Sequence, residues 1–145
     1  AFATLAELGP RAAAAVGVLA RRSGARGLLG GQALDIQDAP LHDIVAVERL
    51  HAAKTGDLLS AAAELGAIVG GAPPDVAASL GRYGMAIGIA FQHADDRDDA
   101  ELTELADIAA ERMRTLCAEA REIAGRFGPR GAMLDAIAAW IGGRA

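Results

Sequence analysis

An all-α fold is predicted by three observations. The 145 residues are 52% hydrophobic but only 3% aromatic, with alanine supplying much of the apolar fraction, and alanine loses no side-chain entropy in a helix. Apolar residues recur at helical spacing along almost the whole chain, with no convincing strand alternation and no internal repeat. Glycine and proline punctuate that pattern where helices would end, as at Gly9-Pro10, Gly24 and Gly70-Gly71-Ala72-Pro73-Pro74. One domain of this length can bury a sizeable core, and no domain boundary is visible.

The elements follow from the punctuation. Phe2 to Leu8 reads as the end of a helix, and Arg11 to Ser23 as a second one, closed by Gly24. Gly27 to Gln37 enters on glycine and becomes helical. Pro40 is expected in the first turn of a helix running to Ala53, because a first-turn proline loses no helical hydrogen bond. That helix is expected to break at Thr55-Gly56 and resume from Asp57 to Val69. Asp75 to Asp96 reads as a long helix despite Gly81, Gly84 and Gly88. Each of these glycines costs ~1 kcal/mol against alanine, and close packing or substrate access is the usual compensation. Asp99 to Phe127 is amphipathic, and Pro129 opens a last helix to Trp140.

Composition excludes some functions. The net charge is −5, with no basic run to track a nucleic-acid backbone. The apolar run Ala12 to Ala20, flanked by Arg11, Arg21 and Arg22, is too short to span a bilayer. Cys117 is the only cysteine, which excludes an internal disulfide, fits a cytoplasmic location and reads as a core residue. The chain starts at Ala1 rather than methionine, which is expected of a processed chain or an excerpt of a longer one.

Three patches carry chemistry. In Phe91-Gln92-His93-Ala94-Asp95-Asp96-Arg97-Asp98-Asp99, carboxylates stand at i, i+1 and i+4 near a helix end. Such neighbours repel one another unless a cation lies between them, which points to a hard divalent ion, Mg²⁺, carrying a phosphorylated substrate. In Gly30-Gly31-Gln32-Ala33-Leu34-Asp35, paired glycines admit a close neighbour, and Gln32 and Asp35 share a face. In Lys54-Thr55-Gly56, a lysine beside a helix break can aim its ammonium at a phosphate while freed carbonyls face positive charge. Each patch alone also has a plain reading: a solvated helix end, tight packing, or a snorkelling lysine. His42, His51 and His93 show no ligand spacing among themselves and read as surface or boundary residues. Met85, Met113 and Met133 read as core fillers.

Taken in order, the three patches resemble the trans-isoprenyl diphosphate synthases, the polyprenyl synthetase family that includes farnesyl and geranylgeranyl diphosphate synthases. Leu65-Gly66-Ala67, Gly70-Gly71-Ala72, Tyr83-Gly84 and Ile87-Gly88-Ile89-Ala90 agree as well. The likeness is good from Ala1 to Asp99 and is one of helical pattern beyond. It implies the all-α isoprenoid synthase bundle around a deep apolar cavity, usually as a homodimer. It implies Mg²⁺-dependent condensation of isopentenyl diphosphate, the homoallylic substrate, with an allylic diphosphate. By the same resemblance, Asp95 and Asp99 would coordinate Mg²⁺ on the allylic diphosphate, with Asp96 supporting the cluster or pairing with a basic residue. Lys54 would contact that diphosphate. Thr55 and Gln92 would turn oxygen atoms toward the allylic cation, Phe91 would border the isoprenoid cavity, and Gln32 and Asp35 would line it.

The departures from the family pattern are as informative. The family's first aspartate-rich motif and its basic residues for isopentenyl diphosphate are not among these residues. Asp99 runs into Ala100-Glu101-Leu102 where a Gly-Lys loop closes over the diphosphates in the family. Arg97 and Asp98 replace aliphatic residues, and Arg97 is expected to neutralise part of the cluster. Two explanations stay open: a part of a longer enzyme, or a short homologue that has lost catalysis and serves as a regulatory or partner subunit of a full-length synthase. Weak diphosphate binding and little turnover are expected of these residues alone.

Overall fold

A computed structural model describes residues 1–37, 41–99 and 103–144. Eight α-helices follow in order: α1 (Phe2–Ala6), α2 (Ala12–Ser23), α3 (Leu28–Ile36), α4 (Ile44–His51), α5 (Asp57–Val69), α6 (Pro74–Asp98), α7 (Ala106–Gly125) and α8 (Ala132–Gly142). Short 3₁₀ turns cover Gly9–Arg11, Thr103–Leu105 and Gly128–Gly131, and no strand occurs among the described residues.

The long helix α6 is the axis. Pro74 opens it at the first position, where a missing N–H is harmless. Tyr83, Ala86, Ile87, Ala90 and Ala94 form its core face. Against that face α7 lays Met113, Leu116, Cys117, Ala120, Ile123 and Ala124, and α8 adds Ala138 and Ile141. Burying a large apolar side chain of this kind stabilises by about 1.5–3 kcal/mol. The Tyr83 hydroxyl donates to the Leu134 carbonyl at 2.8 Å, joining α6 to α8. On the other side α5 crosses α6 closely enough that a side chain on Gly84 would strike the Leu59 carbonyl. One on Gly88 would come within 2.5 Å of the Gly56 Cα. The glycines expected to cost helix stability are therefore spent on close packing.

Boundaries differ from expectation in three places. Helix α4 begins at Ile44, not near Pro40, because the Asp43 side chain accepts from the Val45 N–H at 3.1 Å and caps it. Pro40 itself lies outside the described residues, as does the Ala100–Leu102 junction where the family loop belongs. Helix α7 starts at Ala106 rather than Asp99. The break foreseen at Thr55-Gly56 is real but is no interruption: Ala52–Gly56 form one π-helical turn joining α4 to α5. Of the methionines, Met113 is buried as expected, whereas Met133 is 72% exposed. Met133 stands in the first turn of α8.

Candidate functional site

The candidate site is assembled where the π turn meets the last turns of α6. A π turn carries an i→i+5 bond and one extra residue, so it presents its side chains at angles an α-helix would not reach. That turn holds Lys54 and Thr55. The Thr55 hydroxyl donates to Gln92 Oε1 at 2.9 Å. Gln92, buried on α6, then offers its amide to Asp95 Oδ2 and Asp96 Oδ1, each at 3.4 Å. Lys54 Nζ reaches Asp35 Oδ1 on α3 at 2.9 Å. Helix α3 comes that close because residue 31 is glycine: a Cβ there would stand 2.5 Å from the Lys54 backbone nitrogen. Each patch singled out in the sequence thus contributes a side chain to one connected set.

Not every candidate joins it equally. Gln32 is exposed on α3. Asp99 is the exposed C-cap of α6, one turn beyond Asp95, and its N–H bonds to the Asp95 carbonyl at 3.0 Å. Phe91 is half-buried, with the Arg144 guanidinium 5.8 Å from its ring centroid. Arg144 also bonds Asp98 at 2.5 Å. Arg97 does not neutralise the aspartate cluster as expected; it turns to Asp98 at 3.2 Å.

The largest correction concerns the histidines. His42 is exposed as expected, but His51 and His93 are buried, only 4% and 3% exposed. Their rings meet edge to face with centroids 4.9 Å apart. His51 Nε2 lies 3.0 Å from Asp96 Oδ2, and His93 Nε2 lies 3.3 Å from Glu48 Oε1. Glu48 is clasped by Arg112 of α7 through Nε at 2.7 Å and Nη2 at 3.0 Å. Burial by itself would raise the carboxyl pKa of Asp96 and of Glu48. The His51 ring and Gln92 amide outweigh it at Asp96, and Arg112 and His93 outweigh it at Glu48, so both carboxyls are held below the usual range. Burial, aided by the neighbouring His51, lowers the pKa of His93. A signal for this cluster stood in the sequence. Glu48 and His51 are i, i+3 on one helix, and His93 and Asp96 are i, i+3 on another. Spacing among the histidines alone could not reveal a pairing across two helices.

The described geometry suits hard-cation chemistry at Asp95 and Asp99. They offer only oxygen, one turn apart at the open end of α6, and Mg²⁺ is commonly held by one or two carboxylates with phosphates and water completing its shell.

The sequence model of the family described as "Polyprenyl synthetase" matches residues 1–106. The chain belongs to the polyprenyl synthetase family. Among curated members, the farnesyl diphosphate synthase of Escherichia coli (strain K12) is 45% identical over 80 residues, 54% of this chain and 27% of that protein. The heterodimeric geranylgeranyl pyrophosphate synthase large subunit 1, chloroplastic, of Arabidopsis thaliana is 42% identical over 90 residues, 59% of this chain and 24% of that protein. An FPP/GFPP synthase from Zymomonas mobilis, solved as an apo crystal structure, superposes with a TM-score of 0.85 at 31% identity, covering 97% of this chain and 56% of that one. The matched region is about a quarter of the length of these curated polyprenyl synthetases, and the superposed chain about half of the solved one. The all-α isoprenoid synthase architecture is thereby established for this member. No described helix is long and apolar enough to cross a membrane.

Proposed function

We propose that this chain supplies part of a prenyltransferase site that joins isopentenyl diphosphate head-to-tail to an allylic diphosphate. The observation that carries the reading is the Thr55–Gln92 hydrogen bond. It ties the π turn to α6 one turn before the acidic end and brings two side-chain oxygens within 2.9 Å of each other. Asp95 and Asp99 would hold Mg²⁺ on the allylic diphosphate, and Mg²⁺ supplies the charge that lets the diphosphate leave. Lys54, now paired with Asp35, would exchange that carboxylate for a phosphate oxygen. The Thr55 and Gln92 oxygens face the opposite sign: their dipoles favour an allylic cation without adding a nucleophile strong enough to capture it. Phe91 would form a wall of the isoprenoid pocket, and Gln32 and Asp35 its rim. Excluding water from that pocket keeps the cation from being quenched.

The test is calorimetric titration of the intact chain with Mg²⁺ and inorganic diphosphate. Saturable heat is expected for the native protein and none for Asp95→Ala; an absence of heat with native protein removes the reading.

A second reading, a partner subunit of a full-length synthase, is favoured by Leu29, Leu34, Ile36, Val45, Leu58 and Leu59, large apolar residues exposed along α3, α4 and α5. The intact mass of the native protein separates the two. A mass near 14.7 kDa with a synthase co-purifying supports the subunit, and a larger mass supports the enzyme.

A further inference from the structure

His51, His93 and Asp96 form, among the described residues, the one group of three side chains able to share a metal ion, with one donor atom from each lying within 4.8 Å of the others. We propose that this group is a transition-metal site of the Zn²⁺ class, built between α4 and α6 and distinct from the oxygen pair Asp95 and Asp99.

Three observations meet here. The first is unsatisfied polarity. His51 Nδ1, His93 Nδ1 and Asp96 Oδ2 are buried and take no hydrogen bond, although Asp96 Oδ2 sits close to the His51 ring. Each such orphan costs about 1–3 kcal/mol, and native proteins rarely leave several side by side. A cation bound by lone pairs would satisfy two of them, His93 Nδ1 and Asp96 Oδ2, together.

The second is orientation. The Glu48 carboxylate can only accept, and its oxygens are already fixed by Arg112. The His93 Nε2 that faces it must therefore carry the proton, which leaves the lone pair on Nδ1 in the neutral ring. A carboxylate that holds the far nitrogen of a ligating histidine is the recurrent support of metal-bound imidazole. Glu48 and Arg112 are thus the outer support, and Nδ1 of His93 is the donor.

The third is donor chemistry. Two imidazoles and one carboxylate suit Zn²⁺ and its neighbours, whereas Mg²⁺ prefers oxygen alone. Around a tetrahedral ion at these bond lengths, donors stand roughly 3.3 Å apart. The 3.0 Å between His51 Nε2 and Asp96 Oδ2 is already close to that, and one ligand atom of His93 lies within 4.8 Å of one from each of the other two.

The inference does not depend on the diphosphate reading. It does couple to it, because Asp96 also accepts from Gln92 through its other oxygen. A bound ion would hold Asp96 toward α4 and away from the acidic tip of α6.

The test is titration of chelator-treated intact protein with Zn²⁺, and in parallel with Co²⁺, in the presence of excess Mg²⁺. One Zn²⁺ per chain is expected, with a tetrahedral Co²⁺ absorption spectrum. His93→Val should weaken Zn²⁺ by more than about a hundredfold, since losing an outer support alone costs 10–100-fold, and Asp95→Ala should leave it unchanged. A readout without substitution comes from histidine ring NMR signals: Zn²⁺ should shift those of His51 and His93 and spare His42. Unchanged ring signals, Zn²⁺ affinity that survives His93→Val, or loss of Zn²⁺ in Asp95→Ala would overturn the site. If Zn²⁺ binds as expected while Mg²⁺ and diphosphate give no heat, the metal site stands and the prenyltransferase reading falls.

Discussion

Thr55 and Gln92, 37 positions apart in the sequence, share a 2.9 Å hydrogen bond that joins a π turn to the longest helix of the bundle. Thr55→Val keeps the shape and removes the donor. It should lower stability by about 1 kcal/mol, the net value of a partly buried hydrogen bond, read from denaturant midpoints. On the proposed prenyltransferase reading, kcat should fall by about tenfold or more with the KM for the allylic diphosphate little changed, because the oxygens would act on charge that develops only in the transition state. A matching rise in KM would assign Thr55 to ground-state binding.

Mg²⁺ with inorganic diphosphate should raise the melting temperature. Ligand at 100 times its Kd adds about 2.7 kcal/mol. Asp95→Ala should abolish the rise while leaving unliganded stability almost unaltered, since Asp95 is half-buried and the hydrogen bond its carboxylate accepts from Gln92 is long. A shift that persists in the variant would remove Asp95 from the ligand.

Two glycine substitutions should act in opposite directions. Gly88→Ala puts a methyl group 2.5 Å from the Gly56 Cα, backbone against backbone, and should destabilise by about 1–3 kcal/mol. Gly66→Ala, exposed in α5 with nothing within 4 Å of the added carbon, should stabilise by about 0.5–1 kcal/mol through helix propensity. Thermal unfolding of the pair decides whether close crossing or helix propensity governs each glycine.

Tyr83 is the only tyrosine, so its phenolate absorbance reports one group. Burial, with Cys117 and Asp135 adding to it, pushes its pKa up to about 12 from the usual 10. The native state thus holds the proton more tightly than the unfolded chain does. The resulting stability is complete below pH 10 and is lost as pH rises from 10 toward 12. Spectrophotometric titration should give a native midpoint near the upper value, and Tyr83→Phe should flatten the decline of stability over that window. A midpoint near 10 in folded protein would mean the hydroxyl is open to solvent.

The helices and their core were legible because alanine, glycine and proline act locally: Gly24 and Pro74 mark ends whatever surrounds them. Of the candidate site, Lys54, Thr55, Gln92 and Asp95 were singled out through a resemblance carried by short motifs, and the structure brings their segments together. The histidines were not, since His51 and His93 acquire meaning only when α4 and α6 are laid side by side. Helix starts failed for a related reason. Asp43 could be recognised as a cap only once the backbone before Ile44 was seen to be extended, whereas Pro40 was the stronger signal in the string of letters. Met133 shows the limit of apolarity as a guide, for a side chain in the first turn of α8 need not face α7.

The π turn at Ala52–Gly56 sets a rule about length rather than identity. Each residue advances a helix by about 100°, so removing any one residue of those five would let the α-helical ladder close and rotate all that follows on α5. Ser60, packed beside Gly81 and Gly84 of α6, and the buried Ala61 would swing out, and Thr55 would lose its line to Gln92. No single substitution downstream could restore the phase. Surface loops absorb insertions and deletions readily; this five-residue segment is a vernier between two helices, and descendants of this chain can alter its letters more freely than their number.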